Sequence, residues 1–217
     1  MENIKIEGEY ILSLDVSTKT IGVALFEDLG KNGKLKILTH VTPKIKPKPI
    51  NKNQELFEKV RIFEEEFLNK YKDFNITKVI IEEPLLRSNN VNTISTLLRF
   101  NGMISLACYK ILHVVPEYIS SYDSRAFAFP ELLSIRTHNK KGEPYTDKQI
   151  ASNKPVLFGG YPFTIDKKEI IWEKVHQIYP QVDWPYTKKL TLAKEAYDMS
   201  DAVCCAHGFM NKIGNWK

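Results

Sequence analysis

Apolar and polar positions along the chain first group into three short runs. Tyr10-Ile11-Leu12-Ser13-Leu14-Asp15 is largely apolar, Ile21-Gly22-Val23-Ala24-Leu25-Phe26 follows a polar turn, and Leu35 to Val41 alternates. All three read as strands, and Gly30-Lys31-Asn32-Gly33 reads as the hairpin turn between the second and third. Links this short make the three strands an antiparallel meander. The Pro- and Lys-rich stretch 43–53 reads as an exposed loop. The helical spacing of Leu56, Val60, Phe63, Phe67 and Tyr71 then predicts a helix over about Gln54–Tyr71. Lys78–Glu82 is a short apolar strand, Asn92–Ile111 a second helix and Val114–Ser120 a fifth strand. Strands separated by helices need crossover connections, so this half of the sheet is expected to be parallel.

Gly142, Pro144, Pro155, Gly159, Gly160 and Pro162 interrupt the stretch 121–165, which is expected to be a loop-rich insertion. A short helix is expected near Asp166, which has capping-box spacing to Glu169. A final helix is expected over about Leu190–Asn211. The expected fold class is α/β: a mixed five-stranded sheet, three antiparallel strands then two parallel ones, flanked by helices. A length of 217 residues with 43% hydrophobic composition suits one core, so residues 1–217 are expected to form a single domain carrying the insertion.

The formal net charge of +5 is compatible with a polyanionic partner but does not require one. Between Leu29 and Gln54 there is no acidic residue, while seven lysines accumulate there: Lys31, Lys34, Lys36, Lys44, Lys46, Lys48 and Lys52. The three cysteines, Cys108, Cys204 and Cys205, have no metal-ligand spacing and read as small buried apolar residues in a reducing compartment. The N-terminus lacks the apolar centre of a signal peptide, and no apolar run approaches the ~20 residues of a membrane span. A cytoplasmic protein without a membrane partner is expected.

The chemistry is carried by carboxylates in costly places. Asp15 ends an apolar strand, where it serves either the Ser17-Thr18 turn or a ligand. Glu82 follows the apolar Val79-Ile80-Ile81, and strand alternation lets only one of Glu82 and Glu83 face a given site. On the last helix, Leu192, Ala196, Met199, Val203, Ala206 and Met210 form an apolar stripe. Asp198 and Asp201, three residues apart, flank it, with Glu195 on the same flank. Side by side, such carboxylates would repel one another unless cations lay among them. Hard oxygen donors favour Mg²⁺, with Mn²⁺ as a substitute. Two ions about 4 Å apart would activate water and stabilise the leaving oxygen in phosphodiester cleavage.

The order of elements is that of the RNase H-like fold, and four segments sharpen the likeness. Ile11 to Gly22 resembles the first motif of the RuvC-type Holliday-junction resolvases: apolar strand, Asp, small polar turn, basic residue, Gly. Ile81-Glu82-Glu83 with Pro84 to Asn89 looks like their second motif. Val115-Pro116-Glu117-Tyr118 resembles their fifth strand, and Asp198-Met199-Ser200-Asp201-Ala202 their Asp-x-x-Asp-Ala. The likeness fails across about 121–190. The chain also carries Val16-Ser17 where the family has Pro-Gly, and Leu85 near the place of its junction-opening aromatic. Divergent bacteriophage members are the nearest in kind, which would put the protein in a bacterial cell or a phage-infected one.

The resemblance implies a homodimeric, Mg²⁺-dependent endonuclease cutting four-way junctions, and by extension forks and flaps. Asp15, Glu82, Asp198 and Asp201 would be catalytic and would hold two metal ions. Lys19, Leu85, Arg87, Arg125, Lys140 and Lys141 are candidate DNA contacts, and the apolar helix 92–111 is the dimerisation element. Three other readings are open: a nuclease of this fold acting on structured RNA, an ATP-binding relative of actin-like sugar kinases, and a protein that binds branched DNA without cutting it. The kinases need two such lobes and Gly-rich nucleotide loops, and the acidic cluster makes no sense for binding a polyanion unless metals are present.

Overall fold

In the computed structural model the described residues are 8–84 and 90–216. Strands β1 (Glu9–Val16), β2 (Ile21–Asp28) and β3 (Gly33–Val41) form the meander. Helix α1 (Lys52–Phe63) runs on through a π-helical segment, Glu64–Leu68, into the single turn α2 (Asn69–Tyr71). Strand β4 (Ile76–Glu82), helix α3 (Val91–Leu112) and strand β5 (Glu117–Ile119) follow. The sheet order is β3-β2-β1-β4-β5, with β1/β2 and β2/β3 antiparallel and β1/β4 and β4/β5 parallel. The expected mixed sheet is therefore present.

Each face of the sheet carries its own core, because alternate residues of every strand point opposite ways. Leu12, Leu14, Val23, Leu25 and Ile81 pack under α1 and α3, against Leu56, Phe63, Phe100 and Ile104. Ile11, Ala24, Phe26 and Ile80 face the other way, into a cluster with the last helix.

The stretch 121–165 is less loop-like than its glycines and prolines suggest. It holds helix α4 (Ser121–Ala128), strand β6 (Leu133–Ser134), helix α5 (Asp147–Ser152) and strand β7 (Val156–Leu157), with β6 and β7 paired. Helix α6 (Lys167–Ile178) then starts at Asp166, whose carboxylate accepts from the N–H groups of Lys168 and Glu169. Helix α7 (Lys194–Lys212) closes the chain. It is not the one-sided helix its stripe suggests. Ser200, Asp201, Cys204, Cys205 and Gly208 are buried as well, since α4 and α6 cover what the sheet leaves open. Cys108, Cys204 and Cys205 are all buried free thiols.

Two boundaries differ from the sequence reading. The fifth strand begins at Glu117 rather than Val114, because His113 ends α3 in the left-handed conformation and Pro116 has no N–H for the ladder. Helix α7 begins at Lys194 rather than Leu190, because Leu190 is left-handed in a turn closed by Thr187 and Thr191. Among the described residues, no helix is long and apolar enough to cross a membrane.

His207 on α7 is held between the Phe26 and Trp216 rings, with Nε2 2.8 Å from the Tyr179 hydroxyl. Burial pushes its pKa down to about 4, so it is neutral in the fold. A depressed folded pKa contributes stability above the unfolded value, and that stability is lost as pH falls through 4. The effect is at most about 3 kcal/mol. His207→Gln should therefore narrow its Tm deficit against wild type by several degrees between pH 7 and pH 4, read by thermal circular dichroism. A deficit independent of pH would mean that His207 titrates normally.

Candidate active site

The parity of β1 places Ile11, Ser13 and Asp15 beneath α7, and Asp15 pairs across the ladder with Gly22. The turn that follows does not use Asp15. Ser17 serves it, its hydroxyl oxygen accepting from the N–H groups of Lys19 and Thr20 while the hydroxyl donates to the Thr20 carbonyl. On β4, Ile80 belongs to the α7 core and Ile81 to the opposite one, so Glu82 turns toward α7. Glu83 is exposed.

Gly22 allows the helix its position. A Cβ there would fall on the backbone carbonyl of Asp198, so α7 rests directly on the strand beside Asp15. Asp15, Glu82, Asp198 and Asp201 consequently line one cleft of about 400 Å³, from three elements distant in sequence.

Among the described residues, two cations reach these acids. Arg125 Nη2 donates to Asp201 Oδ1 at 2.8 Å, and both side chains are largely buried. Lys168 Nζ stands 3.8 Å from Asp198 Oδ1 and 3.9 Å from Asp201 Oδ2 on a side chain 51% exposed. The Cys205 thiol donates to Glu82 Oε2 at 3.8 Å. Burial, then repulsion from Glu82, Asp201 and Asp198, holds the Asp15 pKa well above the usual carboxylate range, against a lowering by Lys168. Burial and Asp201 push Glu82 up to about 7, opposed by Arg125. Burial pushes Asp198 up to about 6, opposed by Lys168, with Asp201 and Glu195 adding repulsion.

Three acids raised together form a set short of positive charge. The donors of all four acids in the cleft are hard oxygens, and an ammonium already stands within 4 Å of two of the four, Asp198 and Asp201, so the residues fit a divalent cation. Among the described residues, no three acidic, His or Cys side chains are closed into a ready coordination shell. Asp15, Glu82, Asp198 and Asp201 are the side chains that would hold a cation.

The other sequence candidates are distributed around this cleft. Lys19 lines an adjoining trough with Lys168, Glu195 and Asp198. Arg125 is inside the cleft but engaged by Asp201. Lys140 and Lys141 line a separate cavity. Leu85 and Arg87 lie outside the described residues. Sequence reasoning missed Lys168, although a signal existed: Lys167 and Lys168 occupy the first turn of α6, where the helix dipole disfavours cations.

By sequence, no family model and no curated protein matches the chain. By structure, Thermus thermophilus RuvC in complex with a Holliday junction substrate aligns at TM-score 0.56 and 12% identity, over 95% of this chain and 97% of that one. A second T. thermophilus RuvC structure gives TM-score 0.51 and 15% identity over the same shares. The yeast mitochondrial Holliday junction resolvase Ydc2 aligns more loosely, at TM-score 0.44 and 12% identity over 97% and 82%. The chain thus has the RNase H-like α/β fold. Within that fold its architecture is RuvC-like.

Proposed function

We propose that this chain is a structure-selective DNA endonuclease that resolves four-way junctions, and forks and flaps by extension, through metal-assisted phosphodiester hydrolysis. One observation carries the reading: Asp15, Glu82, Asp198 and Asp201 line a single cleft in which burial and mutual repulsion leave a demand for cations. These four side chains would hold divalent ions, Mg²⁺ or Mn²⁺. Such ions supply charge neutralisation at the phosphodiester and acidify water.

The chain's own groups support the remaining steps. Arg125 fixes Asp201 in one orientation. Lys168, half-exposed beside the acids, would present its ammonium to a phosphate at the mouth of the cleft. The trough of Lys19 and Lys168 is about 580 Å³ and meets another of about 630 Å³, which shares Lys19 and adds Lys48 and Lys52, while Lys59 there is tied to Glu55 and the Thr18 carbonyl. Together they offer the phosphate backbone a basic track leading from the acids.

A homodimer is part of this proposal, because resolving a junction takes two cuts. Phe57 of α1 and Leu98 and Leu106 of α3 are exposed around a shallow apolar groove suited to a second copy. A labelled four-way junction with Mg²⁺ should yield paired, symmetric nicks that EDTA abolishes, from a protein that light scattering sizes as a dimer. An intact junction with Mg²⁺ and with Mn²⁺ would end the proposal, and a monomer would remove the dimer from it.

A further inference from the structure

The cavity lined by Lys140 and Lys141 has a volume of about 460 Å³ and is walled by residues 136–142 and 159–164. That volume lies in the range of small-ligand sites. Its walls are fixed by the insertion itself. β6 pairs with β7, and Gly159 packs so closely on the Ser134 carbonyl that a Cβ would collide with it. Arg136 donates to the carbonyls of Phe158 at 3.2 Å and Tyr161 at 3.4 Å. Its guanidinium carbon lies 3.9 Å from the centre of the Phe163 ring, clamping one face while the residue stays 40% exposed. Tyr161 stands edge-on to Phe158 and is also exposed.

The chemistry of the lining is one-sided. Arg136, Lys140 and Lys141 contribute positive charge, Tyr161 and Phe163 contribute rings, and among the described residues none that lines the cavity is acidic. The acid next to the cavity, Glu143, accepts from Asn139 Nδ2 at 2.7 Å. Rings to stack a base beside cations to hold a phosphate make a site for a nucleotide. The cavity and the carboxylate cleft share no lining residue, but one side chain stands between them. Lys167 lines their cleft, and its ammonium is 5.8 Å from the centre of the Phe158 ring, immediately before the cavity wall Gly159-Gly160.

We propose that this cavity holds an unpaired nucleotide of the strand entering the carboxylate cleft, its base against Tyr161 and Phe163 and its phosphate against Lys140 and Lys141. The identity of that strand rests on the nuclease reading; the nucleotide chemistry of the cavity does not. The protein would thereby favour branch points that expose a single-stranded nucleotide beside the cut.

The test is fluorescence anisotropy in EDTA with labelled oligo-dT, a duplex of equal length and dTMP as competitor. Tyr161→Ala/Phe163→Ala should weaken oligo-dT binding by about tenfold or more, the order of stacking one base on an aromatic ring. Duplex binding should stay unchanged, and Tyr161→Phe/Phe163→Tyr should restore the loss. Unchanged oligo-dT binding in the double alanine variant would overturn the proposal, as would an equal loss on the duplex. Competition by dTMP as effective as by oligo-dT would make this a free-nucleotide site and remove the strand. Because these measurements need no catalysis, a wild type that cuts no junction would sink the nuclease reading while leaving them to be judged separately.

Discussion

Replacing Asp15 with Asn should lower junction cleavage by roughly a thousandfold or more and, in EDTA, raise the melting temperature. The loss follows from the role proposed for it: a ligand that helps place charge opposite the phosphate supplies several kcal/mol, and each 1.36 kcal/mol is tenfold in rate. The gain follows from burial and from repulsion by Glu82, Asp201 and Asp198, which all disfavour the charged form of Asp15. An amide of the same shape removes both penalties. Asp201→Asn should be equally inactive but less stable. It unpairs the buried Arg125 guanidinium, and breaking such a pair costs on the order of 3 kcal/mol. Single-turnover cleavage and thermal melts in EDTA read the two effects, with junction binding retained in both variants. An Asp15→Asn protein that cuts at near wild-type rate would show that Asp15 holds no metal. If both variants lost stability equally, Asp15 would not be electrostatically strained.

The carboxylates were legible because each stands where an apolar pattern has no use for it. Asp15 closes an apolar strand, and Asp198 and Asp201 border a helical stripe. The choice between Glu82 and Glu83 was not legible, because it depends on which face of β4 meets α7, and both faces are apolar. Helix α4 escaped detection for a related reason. It packs on α7 through small residues, Ser124 lying so near Gly208 that a Cβ there would collide with its backbone. A contact made of Ser, Ala and Gly leaves little hydrophobic periodicity to read. Because α4 covers that side of α7, Asp201 is buried and Arg125 meets it, an ion pair spanning 76 residues that no local spacing could announce. The Asp166 cap, by contrast, is a local signal, and the sequence carried it.

Gly22→Ala should be among the most damaging single-methyl additions to this protein. The new Cβ would meet main chain, the carbonyl of Asp198, rather than a side chain able to turn away. Either β2 sinks into a core already filled by Val23 and Leu25, or α7 lifts from the sheet. Overpacking of this kind costs on the order of 3 kcal/mol, which in a chain of this length lowers Tm by roughly 10 °C. Activity should fall further than stability alone requires, because lifting α7 moves Asp198 and Asp201 away from Asp15 and Glu82 together. Cleavage well below the variant's own Tm, titrated with Mg²⁺ or Mn²⁺, separates the two effects: more metal should be needed for half-maximal rate while the protein remains folded. A Gly22→Ala protein with wild-type Tm and wild-type metal demand would mean that α7 does not rest on the strand as described, and that the four acids owe their proximity to something else.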